Sequence, residues 1–167
     1  RIEASYVIAQ DQEQVDKLLE YRRELPSIRK VIYIDPTGMR TYADHPWLIG
    51  FRELLETAGD RGAEGEAGFD AELWKGQPDD IAIMTLTSGT TGTPKLAMLS
   101  HRNFTEMGRM WPKAVPISEG DNWISITPPA WIVDQLFGVG ITLCCGMTMN
   151  FAETEDTIAD DFREIGP

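Results

Sequence analysis

Cysteine and histidine are scarce, with two of each in 167 residues. The cysteines, Cys144 and Cys145, are neighbours, a poor arrangement for a structural disulfide, and a reduced, cytoplasmic setting is expected. His45 and His101 lie far apart without ligand-like spacing, so no metal site is expected in this chain. No apolar run reaches the length of a membrane span and no leader-like segment is visible, so no transmembrane segment is expected. Membrane association would have to come through parts outside this chain. Positive charge is also short. Fifteen Lys and Arg against 27 Asp and Glu leave a formal charge of −12, which repels nucleic acid and anionic membranes, so no nucleic-acid partner is expected. An anionic ligand would need a local positive site. The segment from Lys95 to Lys113 offers one, with Lys95, Arg102, Arg109 and Lys113 against Glu106 alone.

The remaining composition, 42% apolar and 25% charged, is that of a soluble globular protein. The length suits one domain with its own core. The chain starts abruptly at Arg1 and stops at Pro167 after a helical pattern, which suggests a piece of a larger protein. We read residues 1–167 as one α/β subdomain of a larger domain.

The pattern of elements alternates. Residues 6–9 (YVIA) read as a strand. Asp11 then opens a helix with Gln14 as capping partner and Val15, Leu18 and Leu19 inward, stopped by Pro26. Residues 31–34 (VIYI) are a strand closed by the turn Asp35-Pro36-Thr37-Gly38. Residues 47–58 read as a helix with Phe51, Leu54, Leu55 and Ala58 on its apolar face. Residues 59–80, rich in Gly, Ala, Asp and Glu, read as a solvated connector with one short helix around 70–74. Residues 81–86 are expected to be a buried strand and 96–99 a strand. Ser100 caps a helix with Phe104, Met107 and Trp111 inward. A strand at 123–126, a helix at about 131–139, an apolar run ending as a strand near Met149, and a helix at 154–165 with Ile158, Phe162 and Ile165 inward complete the pattern. The class is α/β, three-layered, with a largely parallel central sheet.

Residues 85–95 read TLTSGTTGTPK. Glycine and proline oppose a helix there, and clustered hydroxyls would lack partners in a buried strand. Such a run bends sharply and exposes N–H groups, hydroxyls and one cation, the parts of a phosphate cradle. Gly89 and Gly92 permit close backbone approach, and Pro94 stiffens the exit. The spacing departs from G-x-x-x-x-G-K-[ST], because Lys95 is followed by Leu96, and from G-x-G-x-x-G. The bland alternative is a flexible surface loop.

The run resembles the TSGTTGxPKG phosphate-loop signature of the adenylate-forming superfamily, which comprises acyl- and aryl-CoA synthetases, luciferases and peptide-synthetase adenylation domains. Leu96 replaces the glycine that usually follows the lysine. Downstream, ITPPAWIVDQ at 126–135 is similar to the LPLAHxxER segment of long-chain fatty acyl-CoA synthetases, with Trp131, Asp134 and Gln135 in place of His, Glu and Arg. The resemblance implies the fold of an adenylate-forming N-terminal domain and an ATP-dependent long-chain fatty acid–CoA ligase. In that reaction a carboxylate attacks the α-phosphate of magnesium-bound ATP, pyrophosphate leaves, and coenzyme A takes the acyl group. It assigns Thr87, Ser88, Thr90, Thr91 and Lys95 to side-chain phosphate contacts, and Gly89, Gly92 and Thr93 chiefly to backbone contacts. Trp131 either lines the acyl pocket or is a core tryptophan at a helix start. The magnesium-binding glutamate, the ribose-binding aspartate and the lysine of the small C-terminal domain are expected beyond Pro167, so the isolated chain is expected to be inactive. His101 reads chiefly as a surface residue, Ser100 as a cap, and Asp35, Asp79 and Asp80 as turn residues. The alternatives are another adenylating enzyme, of the peptide-synthetase type, and a non-catalytic nucleotide-binding module.

Overall fold

The computed structural model describes residues 3–59, 62–87 and 94–167. The chain forms two compact units, residues 1–71 and 72–167. In the first, β1 (Tyr6–Ala9), β2 (Lys30–Tyr33) and β3 (Leu48–Gly50) make a parallel sheet in that order, with Val7 opposite Val31 and Val31 opposite Leu48. Helix α1 (Gln12–Glu20) links β1 to β2, as a parallel connection requires. Its start is fixed by Asp11, whose Oδ1 accepts the Gln14 N–H at 3.1 Å. Val15 is fully buried, and Leu18 and Leu19 pack partly buried against the same core of Ala9, Val31, Met39, Trp47 and Leu48. The turn after β2 is the expected one. Asp35 accepts the Thr37 N–H at 2.8 Å, a bond that holds its carboxyl below the ordinary range. Gly38 takes φ 78°, in the left-handed region that favours glycine.

The helix expected over 47–58 begins later, because residues 48–50 are spent on β3 and α2 covers Phe51–Ala58. Extended pairing with β2 buries Leu48 against the core, a gain that a helical turn after Pro46 would forgo. The expected inner face of α2 is also uncovered. Leu54 is half-buried, while Phe51, Leu55 and Ala58 are exposed. In the acidic connector a helix of 12 residues, α3 (Gly62–Leu73), replaces the short one expected, and Trp74 after it is 81% exposed.

The second unit opens with an antiparallel hairpin of β4 (Ile81–Thr87) and β5 (Lys95–Ser100). The sequence expectation of a buried β4 fails, since only Ile83 and Thr85 are partly buried. They lie on one face at the two-residue period of a strand, and the opposite face is open. Helix α4 (His101–Met110) follows at once, capped as expected. Ser100 Oγ accepts the Asn103 N–H, and Asn103 Oδ1 accepts the Ser100 N–H at 2.9 Å. Next come β6 (Asn122–Ser125), a π-helical stretch Asp134–Ile141 running into α5 (Thr142–Cys145), β7 (Thr148–Phe151) parallel to β6, and α6 (Ile158–Ile165). Helix α6 starts four residues later than expected because Thr154 and Thr157 close a hydroxyl turn, with Thr154 N donating to Thr157 Oγ1 at 3.0 Å.

The π-helical stretch packs on α4 through small residues. A Cβ at Gly108 would come within 2.4 Å of the Cys144 side chain, and one at Gly140 within 2.9 Å of Phe104. Phe137 meets Trp111 edge-on at 4.6 Å and stacks on Trp123 at 5.6 Å, joining the helical layer to β6. Ile124 and Ile141 are buried.

Candidate functional site

The hydroxyl-rich run begins and ends at cross-strand partners. Thr87, the last residue of β4, stands opposite Lys95, the first of β5. The Thr87 hydroxyl donates to the Lys95 carbonyl at 3.3 Å, which closes the neck of the hairpin, so a phosphate contact from this hydroxyl would have to replace that bond. Both residues are exposed. Among the described residues no carboxylate is paired with Lys95. Ser88, Gly89, Thr90, Thr91, Gly92 and Thr93 lie outside the described residues.

The positive segment read from the sequence is smaller in the fold. Arg102 makes a fork to Asp79, with Nε to Oδ1 at 2.7 Å and Nη2 to Oδ2 at 2.9 Å, and Arg109 pairs with Glu106 at 3.0 Å. Two of the four cations are thus offset, one of them by an aspartate outside the 95–113 window. The N-terminus of α4 is occupied as well. The Asp80 carbonyl accepts the His101 N–H and the Pro78 carbonyl accepts the Arg102 N–H, leaving those donors with nothing to offer an anion. Asp80 behaves as the turn residue expected, its Oδ2 accepting the Gln77 N–H at 2.8 Å. His101 is exposed.

Hydrogen bonding by Arg102, and then its charge, holds the Asp79 carboxyl below its ordinary value of 3.8. A carboxyl whose pKa is lower folded than unfolded contributes stability above its unfolded pKa and loses it as pH falls through the folded one. The fork is therefore expected to persist on acidification down to 3.8 and to open below it. A carboxyl-carbon NMR titration should give Asp79 a midpoint under 3.8, moving back toward that value in Arg102→Gln. A midpoint at or above 3.8 in the unaltered chain contradicts the pairing.

Beside the hairpin is a cavity of about 490 Å³ whose lining includes Thr85, Leu86 and Thr87 of β4, Leu99 of β5, and Ala130 and Trp131. Thr87 and Trp131, 44 positions apart in the sequence, therefore share one cavity. Trp131 is 60% exposed in this chain. The segment that carries it is held from below by Asp134. That residue is 1% exposed and accepts the Ser125 hydroxyl at 2.8 Å and the Thr127 hydroxyl at 3.4 Å. Gln135 Nε2 donates to the Pro129 carbonyl at 2.5 Å. Asp134 and Gln135, two of the residues that depart from the family pattern, thus brace the segment that carries Trp131. Thr85 is a wall residue that sequence reasoning did not single out. The available signal was a hydroxyl in an apolar strand, two positions from Ile83 on the same face.

Among the described residues no group of three or more His, Cys, Asp or Glu side chains could hold a metal ion, and no helix is long and apolar enough to cross a membrane.

Comparison with known proteins gives a consistent picture. The family model described as AMP-binding enzyme matches residues 1–167. Long-chain-fatty-acid–CoA ligase ACSBG2 of Xenopus laevis is 27% identical over 173 residues, covering 99% of this chain and 22% of that protein. The chain thus spans about a fifth of the length of the curated relatives it matches. Among solved structures, the ATP-bound RpMatB-BxBclM chimera B1 superposes with a TM-score of 0.62 at 21% identity, over 98% of this chain and 28% of the other. The McyG A-PCP structure with phenylalanyl-adenylate gives 0.58 at 16% identity, over 93% and 24%. These two likenesses concern the fold, an α/β fold shared with adenylate-forming enzymes.

Proposed function

Because the chain belongs to the AMP-binding enzyme family, we propose that it is the phosphate-gripping part of an ATP-dependent long-chain fatty acid–CoA ligase. The single observation supporting this reading is the cavity lined by both Thr87, the residue before the 88–93 run, and Trp131. One candidate phosphate donor, Thr87, and an apolar wall on one cavity suit a reaction joining a nucleotide to a fatty carboxylate. A lining of Leu86, Leu99, Ile132 and Val133 favours an alkyl chain over the charged amino group of an amino acid, which would be costly to desolvate there.

In this reading Lys95 and the hydroxyls of Thr87, Ser88, Thr90 and Thr91, with the backbone of Gly89, Gly92 and Thr93, grip the β- and γ-phosphates of ATP. Charge accumulates on pyrophosphate as it leaves, and preorganised donors lower the barrier by stabilising that charge. Leu86, Trp131 and Val133 supply apolar surface on the acyl side. We assign the magnesium ligand, the ribose contact and the capture of the acyl group by CoA to residues outside this chain, and the setting to the cytoplasm. Residues 1–167 alone are then not sufficient for turnover.

The whole enzyme, given ATP, CoA and a long-chain fatty acid, is expected to yield acyl-CoA, AMP and pyrophosphate in equal amounts, identified by mass spectrometry. Formation of no thioester with any fatty acid, or equal turnover by residues 1–167 alone, contradicts the proposal.

A further inference from the structure

The wall carrying Trp131 is bonded mostly to itself. Trp131 N donates to the Pro128 carbonyl at 2.8 Å and Gln135 N to the Trp131 carbonyl at 3.2 Å, while Asp134 and Gln135 hold Thr127 and Pro129. All of these groups lie within residues 125–135. One side chain of the hairpin reaches across to them: Thr85 Oγ1 donates to the Ala130 carbonyl at 3.1 Å over a separation of 45 residues. Thr85 stands two positions before Thr87, where the loop starts, and Ala130 is the immediate neighbour of Trp131. Threonine suits this half-buried strand position by its β-branched shape, and its hydroxyl adds the bond to the Ala130 carbonyl.

We propose that Thr85 is a positioning residue, which clasps the Trp131 wall to the strand feeding the phosphate loop and so sets where the acyl substrate lies relative to the nucleotide. This rests on the ligase reading given above. The clasp is an ordinary neutral hydrogen bond, so its removal acts on the placement of the acid and leaves the phosphate grip itself in place. Valine matches threonine in shape and lacks the hydroxyl, whereas serine retains it.

In the whole enzyme, Thr85→Val is expected to raise the KM for a long-chain fatty acid by about 2- to 10-fold, the loss of one net hydrogen bond. The KM for ATP should stay within about twofold, a change worth only a few tenths of a kcal/mol. Thr85→Ser should restore the KM for the acid. A second readout needs no turnover: acrylamide quenching of Trp131, obtained by difference from Trp131→Phe, should increase in Thr85→Val and not in Thr85→Ser. Unchanged KM and quenching in Thr85→Val overturn the proposal while leaving the ligase reading intact. So does an equal rise of both KM values in Thr85→Val and Thr85→Ser, which marks a merely structural role. If the unaltered enzyme uses no fatty acid, the ligase reading falls and with it the role in placing the acid.

Discussion

Replacing Lys95 by alanine in the whole enzyme is expected to lower kcat/KM for ATP by about 100- to 1,000-fold, the usual cost of losing one preorganised donor from developing charge. The fold should survive. Lys95 is exposed at the start of β5, and its backbone is held independently of the ammonium, through pairing with Thr87 and the bond from Thr87 Oγ1 to the Lys95 carbonyl. An exposed substitution of this kind ordinarily changes stability by within about 0.5 kcal/mol. Since Arg102 and Arg109 are already paired with Asp79 and Glu106, neither is free to take over the charge that Lys95 supplies. Steady-state kinetics with varied ATP, together with a thermal melt, check both halves. Unaltered ATP kinetics, or a variant that unfolds, removes Lys95 from the phosphate grip.

The largest expected effect on stability lies in the first unit. Trp47→Ala should lower its unfolding free energy by about 3–5 kcal/mol, the range for emptying a buried aromatic site. Trp47 is 5% exposed, packs in the core with Val15, Val31 and Leu48, donates its indole N–H to the Ile28 carbonyl at 2.9 Å, and lies under the Arg22 guanidinium at 5.3 Å. Trp47→Phe keeps most of the volume but orphans the Ile28 carbonyl, and should cost about 1–3 kcal/mol. Urea denaturation followed by circular dichroism measures both. A loss below about 1 kcal/mol in Trp47→Ala would mean that the core around it is not the one described.

The parts of the fold legible in the sequence were those decided locally. Asp11 and Ser100 cap helices because each has a short side chain facing its own first turn, and that depends on nearby residues alone. The Asp35 turn is readable for the same reason, and the 6–9 strand, although paired with β2, from its run of β-forming residues. Misreadings came where a distant partner decides. Residues 48–50 carry a helix-compatible apolar pattern and became a strand because β2 lies alongside. Residues 81–86 read as a buried strand from composition, but composition carries no information on whether a second layer covers the outer face.

The candidate site divides in the same way. Thr87, Lys95 and the residues between them in the sequence form a local motif, recognisable by spacing. Trp131 could be named but not located, because its exposure depends on where the segment held by Asp134 comes to lie. Asp79 escaped attention as a partner of Arg102 because a 23-residue gap separates the two. Thr85 is hidden for the same reason, since its carbonyl partner is 45 residues away.

Acid-dependent exchange of labelled pyrophosphate into ATP by the whole enzyme is the most direct measurement, because it reports adenylate formation without the thioester step. The result expected is exchange stimulated by long-chain fatty acids, not by amino acids, and lowered about 100- to 1,000-fold by Lys95→Ala. Exchange driven by amino acids, or none with any carboxylic acid, would contradict a fatty acid-activating role for this chain.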